Sequence, residues 1–506
     1  MTDTPPAPGP DGGVVALQAA LSAGRLTSVA LVQQCLERIA RIDRAGPCIN
    51  SVLEVNPDAL AIAAALDAER AAGTVRGPLH GIPVLLKDNI ATADRMRTSA
   101  GSLALADVSA TRDAGIVRRL RNAGVVILGK TNLSEWANFR ASRSVSGWSG
   151  RGGLTLNPHA LDRSASGSSS GSAAAVASGL APFAVGTETD GSIVEPASVC
   201  GLVGIKPTVG LVSRAGIVPI AASQDTAGPM CRSVADAAAL LTVLAGADPD
   251  DGTTAEAGTH AIDFTQALDA DALRGARIGV ARDFFGRNER VTAVIEAALD
   301  VMRARGAVIV DPVVIGNTRR YRASEALVMA YEFKAGVSEY LRIYAPHAAI
   351  ASVADIVAFN VDNAARELQW FGQDLLVAAA ARGGIDSDEY LAALANNRRY
   401  ARAEGLDLAL EQHALDALLA PTCGVAWLTD FINGDAGTGS FSTPAAVAGY
   451  PHITVPAGFV QGLPVGVSLT GGAFSEARLI GLAYAFEQAT HAWRPPGFAA
   501  TVAGGR

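Results

Sequence analysis

Ile82-Pro83-Val84-Leu85-Leu86 is an unbroken apolar run, and it ends at once in Lys87-Asp88-Asn89. Five apolar residues without polar alternation fit a strand covered on both faces, as in a sheet packed between helices. The pattern returns at Val125-Val126-Ile127-Leu128-Gly129, and residues 113–123 between the two have helical periodicity. Strand, helix and strand in this order predict an α/β protein with helices on both faces of a central sheet.

The reading extends in both directions. Upstream, Val29, Val32, Leu36 and Ile39 mark one face of a helix over 27–43, with Thr27 or Ser28 placed to cap it. A second helix is expected over 57–72. Downstream, strands are expected at Phe183-Ala184-Val185, Arg277-Ile278-Gly279-Val280, Val308-Ile309-Val310, 415–421 and Ile453-Thr454-Val455-Pro456. Residues 462–467 suggest a turn feeding a further strand, 208–228 strands and turns, and 291–303 and 476–491 helices. Helical patterns with many charges run over 321–413 and predict a helical insertion or lid. The acidic, small-residue stretch 248–258 suggests an internal boundary. No repeat is present, so one domain is expected over 14–500, with a disordered lead-in at 1–13 and a flexible tail at 501–506.

Bulk composition narrows the classes. A 506-residue chain that is 49% hydrophobic and 18% charged can bury a large core and is not a disordered one. Forty-one basic against forty-nine acidic side chains give a net charge of −8 without a basic run. Nucleic acid and anionic membranes are therefore not expected partners. The five cysteines lack metal-site spacing and read as small buried hydrophobes in a reducing compartment. The opening MTDTPPAPGPDGG has neither a basic nor an apolar leader segment, which gives a cytoplasmic expectation. No stretch of 18 apolar residues runs free of charges and breakers, so no spanning helix is expected.

The chemistry centres on residues 138–193. Residues 138–172 are rich in Ser, Gly and Arg, lack periodicity and read as a long loop, which usually has a function. The loop ends in SASGSSSGSAAAV (164–176) and feeds a short helix expected over 173–180. GTETDGSI (186–193) follows. A serine nucleophile needs a base, and none of the seven histidines is preceded by a G-x-S-x-G elbow, since Ser192 sits in D-G-S-I. Lysine is the other candidate. With an ordinary pKa of about 10.4 it serves as a base only when burial or nearby cations depress that value. Lys87, ending the IPVLL run, stands where desolvation would occur. A hydroxyl from Ser168, Ser169 or Ser170 could relay the proton. Thr189-Asp190-Gly191-Ser192 could turn successive N–H groups toward a developing oxyanion. A flexible linker and a glycine-rich ligand-binding loop are the competing readings of these stretches.

These residues resemble the amidase signature family. Its Gly/Ser-rich motifs match SGSSSGSAAAV, GTETDGSIVEP and CGLVGIKPT, and HGIPVLLKDNI, GKTNLSEWANF, SQDTAGPM and LLAPT join them. The likeness covers residues 17–496. TETDGSI and SEWANFR are most similar to the family's peptide amidases, which remove the C-terminal amide of peptides. The resemblance implies a Ser–cis-Ser–Lys triad with Ser192 as nucleophile, Ser168 as the cis-serine and Lys87 as base. It implies oxyanion-hole amides at Thr189, Asp190, Gly191 and Ser192, and a mixed sheet of about eleven strands. Ser166 and Asp190 replace motif glycines. Val194 replaces an arginine, which argues against the family's tRNA-dependent amidotransferases and their obligate partners. The expected activity is hydrolysis of a peptide C-terminal amide, releasing ammonia, without metal or cofactor. An aryl or aliphatic acylamidase and a lactam hydrolase are the alternatives. Trp136, Trp148, Trp427 and Phe441 are candidates for the substrate pocket.

Overall fold

Side-chain alternation along the strands builds two cores, one on each face of the sheet. The computed structural model describes residues 8–502. Its strands are β1 (Val52–Val55), β2 (Pro83–Lys87), β3 (Val126–Thr131), β4 (Trp148–Ser149), β5 (Gly153–Leu154), β6 (Phe183–Glu188), β7 (Val203–Lys206), β8 (Thr226–Cys231), β9 (Arg277–Val280), β10 (Val308–Val310), β11 (Ala417–Pro421), β12 (His452–Val460) and β13 (Leu463–Thr470). In β2, Val84 and Leu86 enter one core and Leu85 the other. Phe183 and Val185 of β6 oppose Ala184 in the same way. Such strands have no wet face, which is why their sequences carry no polar alternation.

β4 and β5 form a separate pair, and the other strands make one eleven-stranded sheet in the order β1-β3-β2-β6-β8-β7-β12-β13-β11-β9-β10. β2 runs parallel to β3 and β6, and β9 parallel to β10 and β11. The remaining pairs are antiparallel, so the sheet is mixed. Its parallel blocks lie toward the two ends, and each contains one of the αβ units seen in the sequence.

The helix Ser170–Ala177 lies on the second face, where Ala173, Ala174, Ala175 and Val176 pack against Leu85 and Ala184. It begins three residues before its expected start. Close approach to the backbone explains its composition: a Cβ at Gly171 would stand 2.3 Å from the Ser51 carbonyl oxygen. Lys87, in phase with Leu85, is directed to this same face.

Residues 321–413 are filled by helices, the longest being Tyr321–Tyr344. Tyr321, Phe333 and Val337 of that helix join the first core. Among the described residues, no helix is long and apolar enough to cross a membrane.

Several expectations are corrected. Residues 1–7 and 503–506 lie outside the described residues. Over 8–13 the chain is not disordered: Gly12 N donates to Gly9 O at 2.8 Å, and Arg232 Nη2 donates to the carbonyl of the buried Pro10 at 2.7 Å. At the other end, Val502 packs against the second core. The stretch 248–258, expected as an internal boundary, is tied to the part of the fold that precedes it, Asp248 accepting from Ser213 Oγ at 2.6 Å and Arg118 Nη2 at 2.8 Å. Residues 208–225 contain no named strand and turn instead on carboxylates such as Asp225, which accepts from Ile220 N and Ala221 N.

Candidate active site

β2 carries Lys87 into the interior, where its side chain is 0% exposed. Nζ donates to Ser168 Oγ at 2.7 Å, Thr187 Oγ1 at 2.9 Å and Thr187 O at 3.1 Å. Three acceptors match the three N–H groups of an ammonium. A neutral amine fits equally: two N–H groups serve Thr187 and the lone pair accepts from Ser168. Burial pulls the Lys87 pKa down to about 7, against the opposing pull of Glu188 and Asp225. The amine therefore loses its proton near neutrality, far below its ordinary value.

Desolvation alone does not single it out. Lys206 also ends an apolar strand and Lys130 stands one residue before the end of another; both are buried and pulled down to about 8 by burial. Lys130 Nζ donates to Thr98 Oγ1 at 2.9 Å and Lys206 Nζ to Tyr450 O at 2.7 Å. Of these three lysines, Lys87 is the one that contacts a serine of the Gly/Ser run.

That run is held in place by its neighbours. The Gly167–Ser168 peptide is cis. The Ser168 carbonyl accepts from Ser134 N at 3.1 Å, and Ser169 N donates to the Ser192 carbonyl at 3.2 Å. Ser166, standing at a motif glycine, has φ 58°, in the left-handed region that usually favours glycine. The second loop, 189–192, leaves β6 and is clasped at its base. Glu188 Oε2 accepts from Ile193 N at 2.7 Å and Val194 N at 3.0 Å, so residues on either side of the loop are joined. Thr189 Oγ1 donates to Asp225 Oδ1 at 2.5 Å. The turn needs Gly191, whose φ is +82°, whereas Asp190 lies outside the left-handed region and tolerates its side chain. Among the described residues, none of the N–H groups of Thr189, Asp190, Gly191 and Ser192 has a protein acceptor. Four free donors in succession suit an oxyanion.

Ser192 is 8% exposed and lines a cavity of about 820 Å³. Its backbone is tied to the Gly/Ser run, but its hydroxyl makes no hydrogen bond to Ser168 or Lys87 in this structure. The structure thus joins Lys87 to Ser168 directly and brings Ser192 beside them through Ser169. Nothing in the sequence alone marks Thr187, Asn89, Asp225 and Glu188 as partners of this site. Thr187 and Glu188 lie inside the quoted GTETDGSI stretch, but only the fold shows which of its atoms turn toward Lys87.

The four aromatic candidates separate. Trp427 lines the cavity, and its Nε1 donates to Asp435 Oδ1 at 2.9 Å. Trp136, Trp148 and Phe441 are 1%, 3% and 0% exposed and belong to packed interior. Trp136 meets Phe333 edge-on, Trp148 packs on Phe371 and under Arg140, and Phe441 packs on Phe284. These three are corrected from pocket residues to core. The apolar wall comes instead from the helix Tyr321–Tyr344, through Ala323, Ala326, Leu327 and Ala330.

A family model described as Amidase matches residues 30–480. The crystal structure of native peptide amidase from Stenotrophomonas maltophilia superposes with a TM-score of 0.93 at 53% identity, covering 96% of this chain and 99% of that one. The crystal structure of an amidase family protein from Bacillus anthracis superposes with a TM-score of 0.87 at 38% identity, covering 96% of this chain and 92% of that one. A probable amidase of Arabidopsis thaliana is 40% identical over 96% of this chain and 91% of its own length.

Proposed function

The chain belongs to the amidase signature family, and from that premise we propose that it hydrolyses the C-terminal amide of peptides through Ser192, Ser168 and Lys87. That it is an amide hydrolase follows from the family. The observation that carries the finer reading is the junction of a buried, depressed lysine with Ser168, next to a loop of unpaired N–H groups ending at Ser192.

In this reading neutral Lys87 accepts the Ser168 proton while Ser168 takes the proton of Ser192. Ser192 Oγ attacks the carboxamide carbon. The carbonyl oxygen gains charge facing the amides of 189–192. Collapse of the adduct passes the proton back through Ser168 to the leaving nitrogen, and ammonia departs. Water then attacks the Ser192 ester, giving up its proton by the same route, and the free acid leaves. The Ser168–Ser192 contact closes on substrate binding, as catalytic hydrogen bonds commonly do.

Similarity to peptide amidase supports the peptide substrate, as does a cavity with one apolar wall and a polar floor. A panel of blocked dipeptide amides, matching free acids, anilides and lactams tests it by ammonia or amine release. Blocked dipeptide amides should be turned over fastest. Faster turnover of anilides or lactams would overturn the substrate while leaving the triad in place.

A further inference from the structure

The acids on the wall of the catalytic cavity differ in how fully they are engaged. Asp435 accepts from Ser146 N at 3.0 Å, Ser146 Oγ at 2.6 Å and Trp427 Nε1 at 2.9 Å. Asp190 accepts from Thr443 Oγ1 at 2.8 Å through Oδ2, while its Oδ1 is buried without a hydrogen-bond partner. The Glu195 carboxyl lies near the Ser440 hydroxyl and forms no ion pair among the described residues. A carboxylate has about four lone-pair positions, so most of its accepting capacity is free. Its remaining exposure opens on the cavity. Burial, reinforced by Asp190, Glu188 and Asp435, pushes its carboxyl up to about 8. Either protonation state keeps an accepting oxygen.

Its position is fixed by the turn after Ser192. Glu195 is the second residue of the helix Val194–Val199, and its amide donates to Gly191 O at 2.9 Å. Helical side chains lean toward the N-terminus, so the carboxyl comes back across the loop. A Cβ at Gly191 would stand 2.8 Å from Glu195 Oε1. The hydrogen bonds of Lys87 go to Ser168 and Thr187, whereas Glu195 Oε1 lies with Ser442 Oγ against Gly191. Glu195 therefore meets the loop at Gly191, beside Ser192, through partners that Lys87 does not share. The leaving nitrogen must face Ser168, the source of its proton, so the acyl portion of the substrate is what reaches Glu195. The first donor on that portion of a peptide amide is the N–H on the α-carbon.

We propose that Glu195 accepts a hydrogen bond from the α-nitrogen of the residue whose carboxamide is cleaved, and so sets specificity for aminoacyl over other acyl groups. This rests on the peptide-amide reading above. A site built to hold an N–H discriminates strongly against an analogue without it, because its acceptor is then left buried and unpaired.

The test compares N-acetyl-L-phenylalaninamide with its ester analogue, O-acetyl-L-phenyllactamide, in which oxygen replaces that N–H. In the unaltered protein kcat/KM should favour the former at least about tenfold. Glu195→Ala should bring the ratio close to one by lowering only the N–H substrate. Glu195→Gln, which retains an accepting oxygen, should keep most of the preference. A ratio near one in the unaltered protein overturns the role of Glu195 alone, and decides the matter even if Glu195→Ala fails to fold. A preference that survives Glu195→Ala, or an equal loss on both substrates, also overturns it. Release of ammonia from neither substrate by the unaltered protein would instead remove the peptide-amide reading.

Discussion

Thr187 holds Lys87 twice, through its hydroxyl at 2.9 Å and its carbonyl at 3.1 Å, and so fixes which way the third valence of the amine points. That valence meets Ser168 at 2.7 Å. Asn89 Nδ2 donates to the same Thr187 hydroxyl at 3.0 Å, so the orienting group is itself oriented. Thr187→Val keeps the carbonyl and the shape but leaves two buried N–H groups without their acceptor. An unpaired buried donor costs about 1–3 kcal/mol. With even ~1.4 kcal/mol of that felt in the transition state, kcat/KM should fall about tenfold. Steady-state kinetics beside a thermal melt check this, since a purely structural role would lower Tm with kcat unchanged.

Ser192 as nucleophile makes a chemical prediction. A serine-directed phosphonate should add to one site, and peptide mass spectrometry should place it on Ser192. Ser192→Ala should abolish labelling, and Ser192→Ala and Ser168→Ala should each cut kcat by a factor on the order of 10³ or more. A label carried by another serine would remove the assignment. A Ser168→Ala variant of undiminished activity would remove the relay.

The aromatic residues predict a division between stability and specificity. Phe441 has no exposure and packs on Phe284 and His452. Phe441→Ala should cost about 3–5 kcal/mol in denaturant unfolding, with KM little changed in whatever folds. Trp427→Ala should act the other way, raising KM for peptide amides with the larger effect on binding. Equal KM shifts in both variants would contradict the placement of Phe441 in the core.

That division marks how far the sequence could be read. Strands with no wet face announce themselves, as Pro83–Lys87 and Phe183–Glu188 do, and Arg277–Val280 and the partly exposed edge strand Val308–Val310 are also found at the expected residues. The helix Val194–Val199 is not legible in the sequence because six residues containing Pro196 carry too little periodicity. β7, at Val203–Lys206, is equally illegible, since a four-residue strand within CGLVGIKPT is too short and too glycine-rich to show a period of its own. The Gly/Ser segments could be located because their composition is unusual. Their partners could not, since Thr187 and Asp225 reach Lys87 and Thr189 only through the pairing of β6 with its neighbours. Aromatic residues gave the weakest signal: a core and a pocket both want them, and only the direction of the backbone separates the two.

The depressed lysine makes the last prediction, with opposite signs for activity and stability. Lys87 must be neutral to accept a proton, so kcat/KM should rise with pH through about 7 and level off above it. The unfolded chain has its lysine near 10.4. Between about 7 and that value the unfolded state binds a proton that the folded state does not, so stability rises with pH there. Below about 7 both states are protonated, and the penalty for burying the charge is complete and constant. Lys87→Met removes this titration. Its stability relative to the unaltered protein should therefore be most favourable at pH 7 and become steadily less so toward pH 10, by up to about 1.4 kcal/mol per pH unit. Other titrating groups cancel in the difference. Urea unfolding of both proteins at pH 7, 8.5 and 10 measures it, and a difference that stays flat across this range would show that the buried lysine is not depressed.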